Sequence, residues 1–215
     1  MGQSFGLFAV AISLASLLVL IGFSYDANAV TVIPVVDEAS CEALSLSGGT
    51  AEWNNDICTT PPPATLEIGA DKVLNLRVYL YSLGIINNAQ GGTIDITGTG
   101  SLTVNAVFFS DFGGELNNFG TINIESPGGL SSSFSGEVNN FGTINVRAGG
   151  NVLIFESVFT NAPNGIVNNY GFITGSSDGP RFRNDGIINN YADGVISLIG
   201  DGNFRNNAKG VISGF

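Results

Sequence analysis

Beyond residue 85 one phrase is written six times: an apolar residue, Asn-Asn, a few residues that include Gly, then Thr or an apolar residue followed by Ile. The copies begin at Ile86-Asn87-Asn88, Leu116-Asn117-Asn118, Val138-Asn139-Asn140, Val167-Asn168-Asn169 and Ile188-Asn189-Asn190, with a worn copy at Arg205-Asn206-Asn207. They close on Ile94, Ile122, Ile144, Ile173, Ile196 and Ile212. A unit repeated at roughly 20–50 residues buries its apolar face only by stacking on its neighbours. Inside each copy the chain alternates, as in Thr93-Ile94-Asp95-Ile96, and a period of two is the period of a strand. Ala, Leu, Glu and Lys never gather at helical spacing and Gly is frequent, so no helix is predicted after residue 29. The expected fold is all-β: a single-stranded parallel β-helix, or β-solenoid, of two or three strands per coil. Uneven spacing between the Ile positions fits coils with turns of variable length, which cost little entropy. The residues after each Ile, namely Asp95, Asn123, Asn145, Thr174, Ser197 and Ser213, are polar throughout. This predicts one wall with Ile inward and small polar groups outward. Half-phrases at Phe159-Thr160-Asn161 and Phe182-Arg183-Asn184 read as second faces of the same coils.

The ends of the chain differ from this pattern. Leu7 to Phe23 is a nearly unbroken apolar run, and Ala27-Asn28-Ala29 follows it with small residues around a cleavage point. Residues 1–29 are therefore predicted to be a secretory signal peptide. No Lys or Arg precedes the run, and its length lies between a signal and a span, so an uncleaved anchor is the alternative. Residues 30–63 lack the phrase and hold both cysteines, Trp53 and Pro61-Pro62-Pro63. They are expected to form a cap over the open end of the array, with solenoid repeats over 64–215. Cys41 and Cys58 in an exported chain predict a disulfide that contributes about 3 kcal/mol. A zinc site is disfavoured, because there is no His and no third Cys. A net charge of −11 repels phosphate backbones, so nucleic acid is not an expected partner.

Three series of side chains carry the chemistry. Stacked amides at strand spacing can bond one to the next, which nominates Asn87, Asn117, Asn139, Asn168, Asn189 and Asn206 as a structural ladder. The functional alternative is a polar comb for sugar hydroxyls. Phe119, Phe141, Tyr170 and Tyr191 follow the Asn pairs in constant register and predict an aromatic column, either as packing or as an outward platform. Tyr170 and Tyr191 are its more exposed members, since a hydroxyl prefers a polar partner. Asp178, Asp185, Asp193 and Asp201 each precede Gly. Turn chemistry explains this, and convergence on calcium is the alternative. No cofactor is expected beyond that calcium. The absence of His excludes a triad or a His base, and no phosphate-cradling loop appears, so no catalytic residue is nominated.

The Gly-x-Ile/Val/Leu-Asn-Asn-x-Gly-x-Ile phrases, as in Gly165-Ile166-Val167-Asn168-Asn169-Tyr170-Gly171-Phe172-Ile173, resemble those of secreted right-handed parallel β-helix proteins. Archaeal surface repeat proteins and bacterial adhesin passengers are similar over residues 64–215. The resemblance implies a fold that hosts lyases, hydrolases, adhesins and filament subunits alike. It brings no catalytic motif onto this chain, and the chain has no room for an adhesin's membrane barrel.

The expected function is that of a secreted structural or adhesive solenoid of the cell surface or extracellular matrix. Its expected partners are copies of itself or other surface proteins, and polysaccharide; a membrane enters only if residues 1–29 stay attached. The repeat that ends at Val211-Ile212-Ser213-Gly214-Phe215 shows no cap motif, and self-association is expected there. The alternative is a carbohydrate-binding module, or a polysaccharide-degrading enzyme of the pectin-lyase-like β-helix type.

Overall fold

The computed structural model describes residues 30–105, 114–176, 181–198, 203–207 and 209–214. Residues 1–29, read above as a signal, lie outside them. The described chain winds as a parallel β-solenoid with three short strands per coil, one in each of three eight-stranded sheets. The chain visits the sheets in a fixed order, which names them here. The first holds Thr65–Ile68, Ile85–Asn88, Glu115–Asn118, Glu137–Asn140, Val158–Asn161, Arg181–Asn184 and Asn203–Asn206. The second holds Lys72–Leu76, Thr93–Ile96, Thr121–Ile124, Thr143–Val146, Ile166–Asn169, Ile187–Asn190 and Val211–Ser213. The third holds Ile57–Thr60, Tyr79–Ser82, Ser101–Asn105, Gly129–Ser133, Asn151–Phe155, Phe172–Ser176 and Val195–Leu198. About six turns result.

Strands of four or five residues suffice because alternation drives two side chains of each inward. In the second sheet Leu74, Ile94, Ile122, Ile144, Val167 and Ile188 follow one another in register, all buried. Parallel neighbours set equivalent side chains at one-strand spacing, so the core is a set of aliphatic columns running along the rod.

This register corrects the single Ile wall. Ile94, Ile122, Ile144 and Ile212 belong to the second sheet, whereas Ile173 and Ile196 belong to the third. The phrase marks a corner, not a fixed position in the coil. Its first three copies turn the chain from the first sheet into the second; the copies at Val167 and Ile188 turn it from the second into the third. The uneven spacing of the Ile residues follows from that change of corner. The half-phrases are second faces of the same coils: Phe159-Thr160-Asn161 and Phe182-Arg183-Asn184 turn the first corner of the coils whose full copies at Val167 and Ile188 turn the second. In the first-sheet register Phe159 and Phe182 follow Val138, and Asn161 and Asn184 follow Asn140.

The N-terminal residues join the same sheets. Thr31–Val35 pairs in parallel with Lys72–Leu76. Leu46–Ser47 lies antiparallel on Thr65–Ile68, and Glu52–Asn54 antiparallel on Ile57–Thr60. Between them Glu38–Glu42 forms one helical turn, which periodicity did not predict. Its signal is a capping box: Asp37 Oδ1 accepts from Ser40 N, and Ser40 Oγ accepts from Asp37 N. The Ser40 hydroxyl also donates to Asp37 Oδ1, and this bond, with that from Ser40 N, holds the Asp37 carboxyl below its ordinary pKa. Cys41 of the helix is bonded to Cys58 of the third-sheet strand Ile57–Thr60, and both are fully buried.

Candidate functional site

The Asn-Asn pair straddles the strand surface, so its two residues have opposite fates. In the first-sheet copies at Ile86, Leu116 and Val138 the second Asn points inward. Asn88 donates from Nδ2 to Asn118 Oδ1, Asn118 to Asn140, Asn140 to Asn161, Asn161 to Asn184 and Asn184 to Asn206, at 2.7–2.8 Å. The partners lie 30, 22, 21, 23 and 22 residues apart, so the ladder runs through successive coils. The second hydrogen of each amide reaches the carbonyl that opens the next coil's second-sheet strand: Thr121, Thr143, Ile166, Ile187 and Val211. One amide therefore satisfies both the ladder and a corner carbonyl of the next coil. Asn206 turns its Nδ2 back to its own corner, at Gly210 O. At the N-terminal end Ile68 occupies the register below Asn88, and Asn88 Oδ1 is buried without a donor.

Corner glycines make this stacking feasible. A Cβ on Gly120 would collide with Gly92 O and press on Asn88 Nδ2. On Gly142 it would collide with Gly120 O. The need is for close backbone approach, since neither residue has a positive φ. The second-to-third corner repeats the device where the phrase has moved: Asn169 donates to Asn190 Oδ1 and to Val195 O. Val146 precedes Asn169 in register, so an aliphatic column becomes an amide column at that coil.

The first Asn of each pair points outward and bonds in the reverse sense. In the first sheet Asn87 donates to Glu67, Asn117 to Asn87 and Asn139 to Asn117. In the second, Asn123 donates to Asp95, Asn145 to Asn123, Asn168 to Asn145 and Asn189 to Asn168. Each outer ladder starts at a carboxylate, and an anion accepts strongly enough to orient every amide after it. The six asparagines nominated from sequence thus do not share one column. Asn87, Asn117 and Asn139 lie outside the first sheet, Asn168 and Asn189 outside the second, and Asn206 inside the first. The worn copy is offset by one residue, so Asn206 takes the inner place. The buried Asn88, Asn118, Asn140, Asn161 and Asn184 were passed over; the signal was there in the apolar residue two places earlier, which fixes their inward phase.

The four aromatics form two stacks at two corners. Phe119 and Phe141 lie face to face at 4.6 Å between the first and second sheets. Tyr170 and Tyr191 do so at 4.0 Å between the second and third. Both tyrosines stay open, at 37% and 39% exposure, but they are not the more exposed members: Phe119 and Phe141 stand at 49% and 40%, because a corner position exposes either ring whether or not it carries a hydroxyl. The Tyr191 hydroxyl bonded beside it holds Tyr170 above its ordinary pKa, with desolvation adding to the shift and Arg147 opposing it.

Of the aspartates considered for calcium, Asp178 and Asp201 lie outside the described residues. Asp185 sits at the first-to-second corner, where it accepts from Asn207 Nδ2, and Asp193 sits at the second-to-third. Among the described residues no three acidic, His or Cys side chains gather to hold a metal. A cleft of about 260 Å³ opens beside Leu46 and Thr65, with Glu67 and Lys72 at its rim.

No family model and no curated protein matches this chain. A solved structure, of a TibC-catalyzed hyper-glycosylated TibA fragment, is similar at 12% identity over 85% of this chain and 98% of that one. Its TM-score of 0.16 is too low to bear on function.

Proposed function

We propose that this protein is a secreted structural or adhesive solenoid that acts outside the cell as a rigid display rod. The observation that carries this is the three-sheet register, which repeats equivalent side chains along the outside at one-strand spacing. The reading divides the chain into a signal over 1–29, a cap over 30–63 tethered by Cys41–Cys58, and repeats over 64–215. A buried disulfide supports an oxidising compartment. Self-association belongs to the reading, since a rod of repeated outward rows offers the same groups to every copy.

The test is expression of the full chain in a secreting host, with recovery from medium and cell surface and N-terminal sequencing. A disulfide-bonded chain beginning at residue 30, which promotes cell or matrix attachment when coated on beads, is the expected result. A reduced chain retained inside the cell would overturn the reading. A carbohydrate-binding role is the second reading, favoured by the open Tyr170–Tyr191 pair with Arg147 nearby. It predicts sugar binding that is lost in Tyr170→Ala with Tyr191→Ala.

A further inference from the structure

The outer face of the first sheet is divided by charge. Along one outward column run Ile85, Glu115, Glu137, Val158 and Arg181. Along the other run Glu67, Asn87, Asn117, Asn139, Thr160, Arg183 and Arg205. The N-terminal half is acidic and the C-terminal half carries three of the chain's seven bases. Arg183 and Arg205 are direct cross-strand neighbours, an arrangement that repels. All three arginines are exposed, and the salt bridge found among the described residues, Arg147–Glu125, lies elsewhere. A like-charged cluster is kept here although the chain is otherwise strongly acidic.

We infer that this face docks a second copy of the chain, with the two rods antiparallel about a two-fold axis through the strand Val158–Asn161. The inference rests on the self-associating part of the reading above and names its surface. Strand order reverses across such an axis. Glu137, one strand before it, then faces Arg181, one strand after it. Glu115, two strands before, lies diagonal to Arg205, two strands after, within reach of a long side chain. The centre is Val158 and Thr160, uncharged and half-buried. A two-fold contact must be self-complementary, and the division of charge about this strand makes the face so. Five strands at about 4.8 Å by four residues at about 3.3 Å present of order 300 Å². That is well under the ~800 Å² per partner of a standard interface. The dimer is accordingly weak, reversible and sensitive to salt.

The experiment is sedimentation velocity on the chain as secreted, at rising concentration, in about 0.1 M and 0.5 M salt. The wild type dimerises reversibly, and less at high salt. Arg181→Glu with Arg205→Glu, and separately Glu115→Arg with Glu137→Arg, each weaken self-association at least about tenfold, because like charges then face each other. Mixing the two variants restores a dimer, one face now acidic but for Arg183 and the other richer in arginine; the same result shows that both variants fold. Dimers indifferent to both reversals would overturn this surface and leave self-association standing. A wild type monomeric at all concentrations would overturn both, without touching the secretion and attachment test. Loss in each variant with no rescue on mixing would overturn the antiparallel pairing.

Discussion

The inner and outer amide ladders use the same residue at the same spacing, and they do different physical work. Inside, an amide has no water to fall back on, so its hydrogens must go to the next Asn and to a corner carbonyl, and every bond lost leaves a buried orphan. Outside, half-exposed amides such as Asn123 and Asn145 exchange their ladder bonds for water at little cost. The polarity differs for the same reason. Corner carbonyls draw the inner donors toward the C-terminal end, whereas Glu67 and Asp95 draw the outer donors toward the N-terminal end. The difference teaches that a dipeptide repeat in a strand is two repeats, one for each face.

The sharpest way to break the comparison is to put charge on the inner ladder. Asn161→Asp removes both donors and buries a carboxylate, and should cost about 4 kcal/mol at pH 7 in urea unfolding. Burial raises the folded pKa of that carboxyl, so stability returns as pH falls below about 4 and is lost as pH rises. Gly142→Ala attacks the close approach of coils instead. Its Cβ meets backbone that cannot yield, for a loss of about 2 kcal/mol, seen as a lower midpoint at unchanged slope. On the outer side Asn145→Ala breaks two ladder bonds that water replaces, and thermal unfolding should move by less than about 1 kcal/mol. Smallest is a local change at the open tyrosine stack. Tyr191→Phe removes the hydroxyl that holds Tyr170 above 10.0, so Tyr170 titrates earlier by absorbance, with stability nearly unmoved. With its folded pKa raised, Tyr170 stabilises fully below about pH 10, and that part is lost as pH rises past it.

Much of this was legible in the sequence. Repetition and the alternation of Thr93-Ile94-Asp95-Ile96 predicted stacked strands, and the structure is a parallel β-solenoid with Cys41 bonded to Cys58. What misled was the assumption that equal phrases occupy equal places. Val138-Asn139-Asn140 and Val167-Asn168-Asn169 read alike, yet one turns the first corner and the other the second, because both corners need an inward amide and a glycine. Only strand pairing distinguishes them. The helix at Glu38–Glu42 escaped because one turn has no period; Asp37 and Ser40 at its start were its signal. The charge division of the first sheet was also hidden, since Glu115 and Arg205 lie far apart in the chain and meet on one face only through the register.

The central claim is that adjacent residues Asn139 and Asn140 belong to opposite ladders. The most direct test is urea unfolding of Asn139→Ala beside Asn140→Ala. The account predicts a loss of about 3 kcal/mol or more for Asn140→Ala, which orphans Asn118 Nδ2, Asn161 Oδ1 and Ile166 O, and less than about 1 kcal/mol for Asn139→Ala. Equal losses, or the larger loss at Asn139, would contradict it.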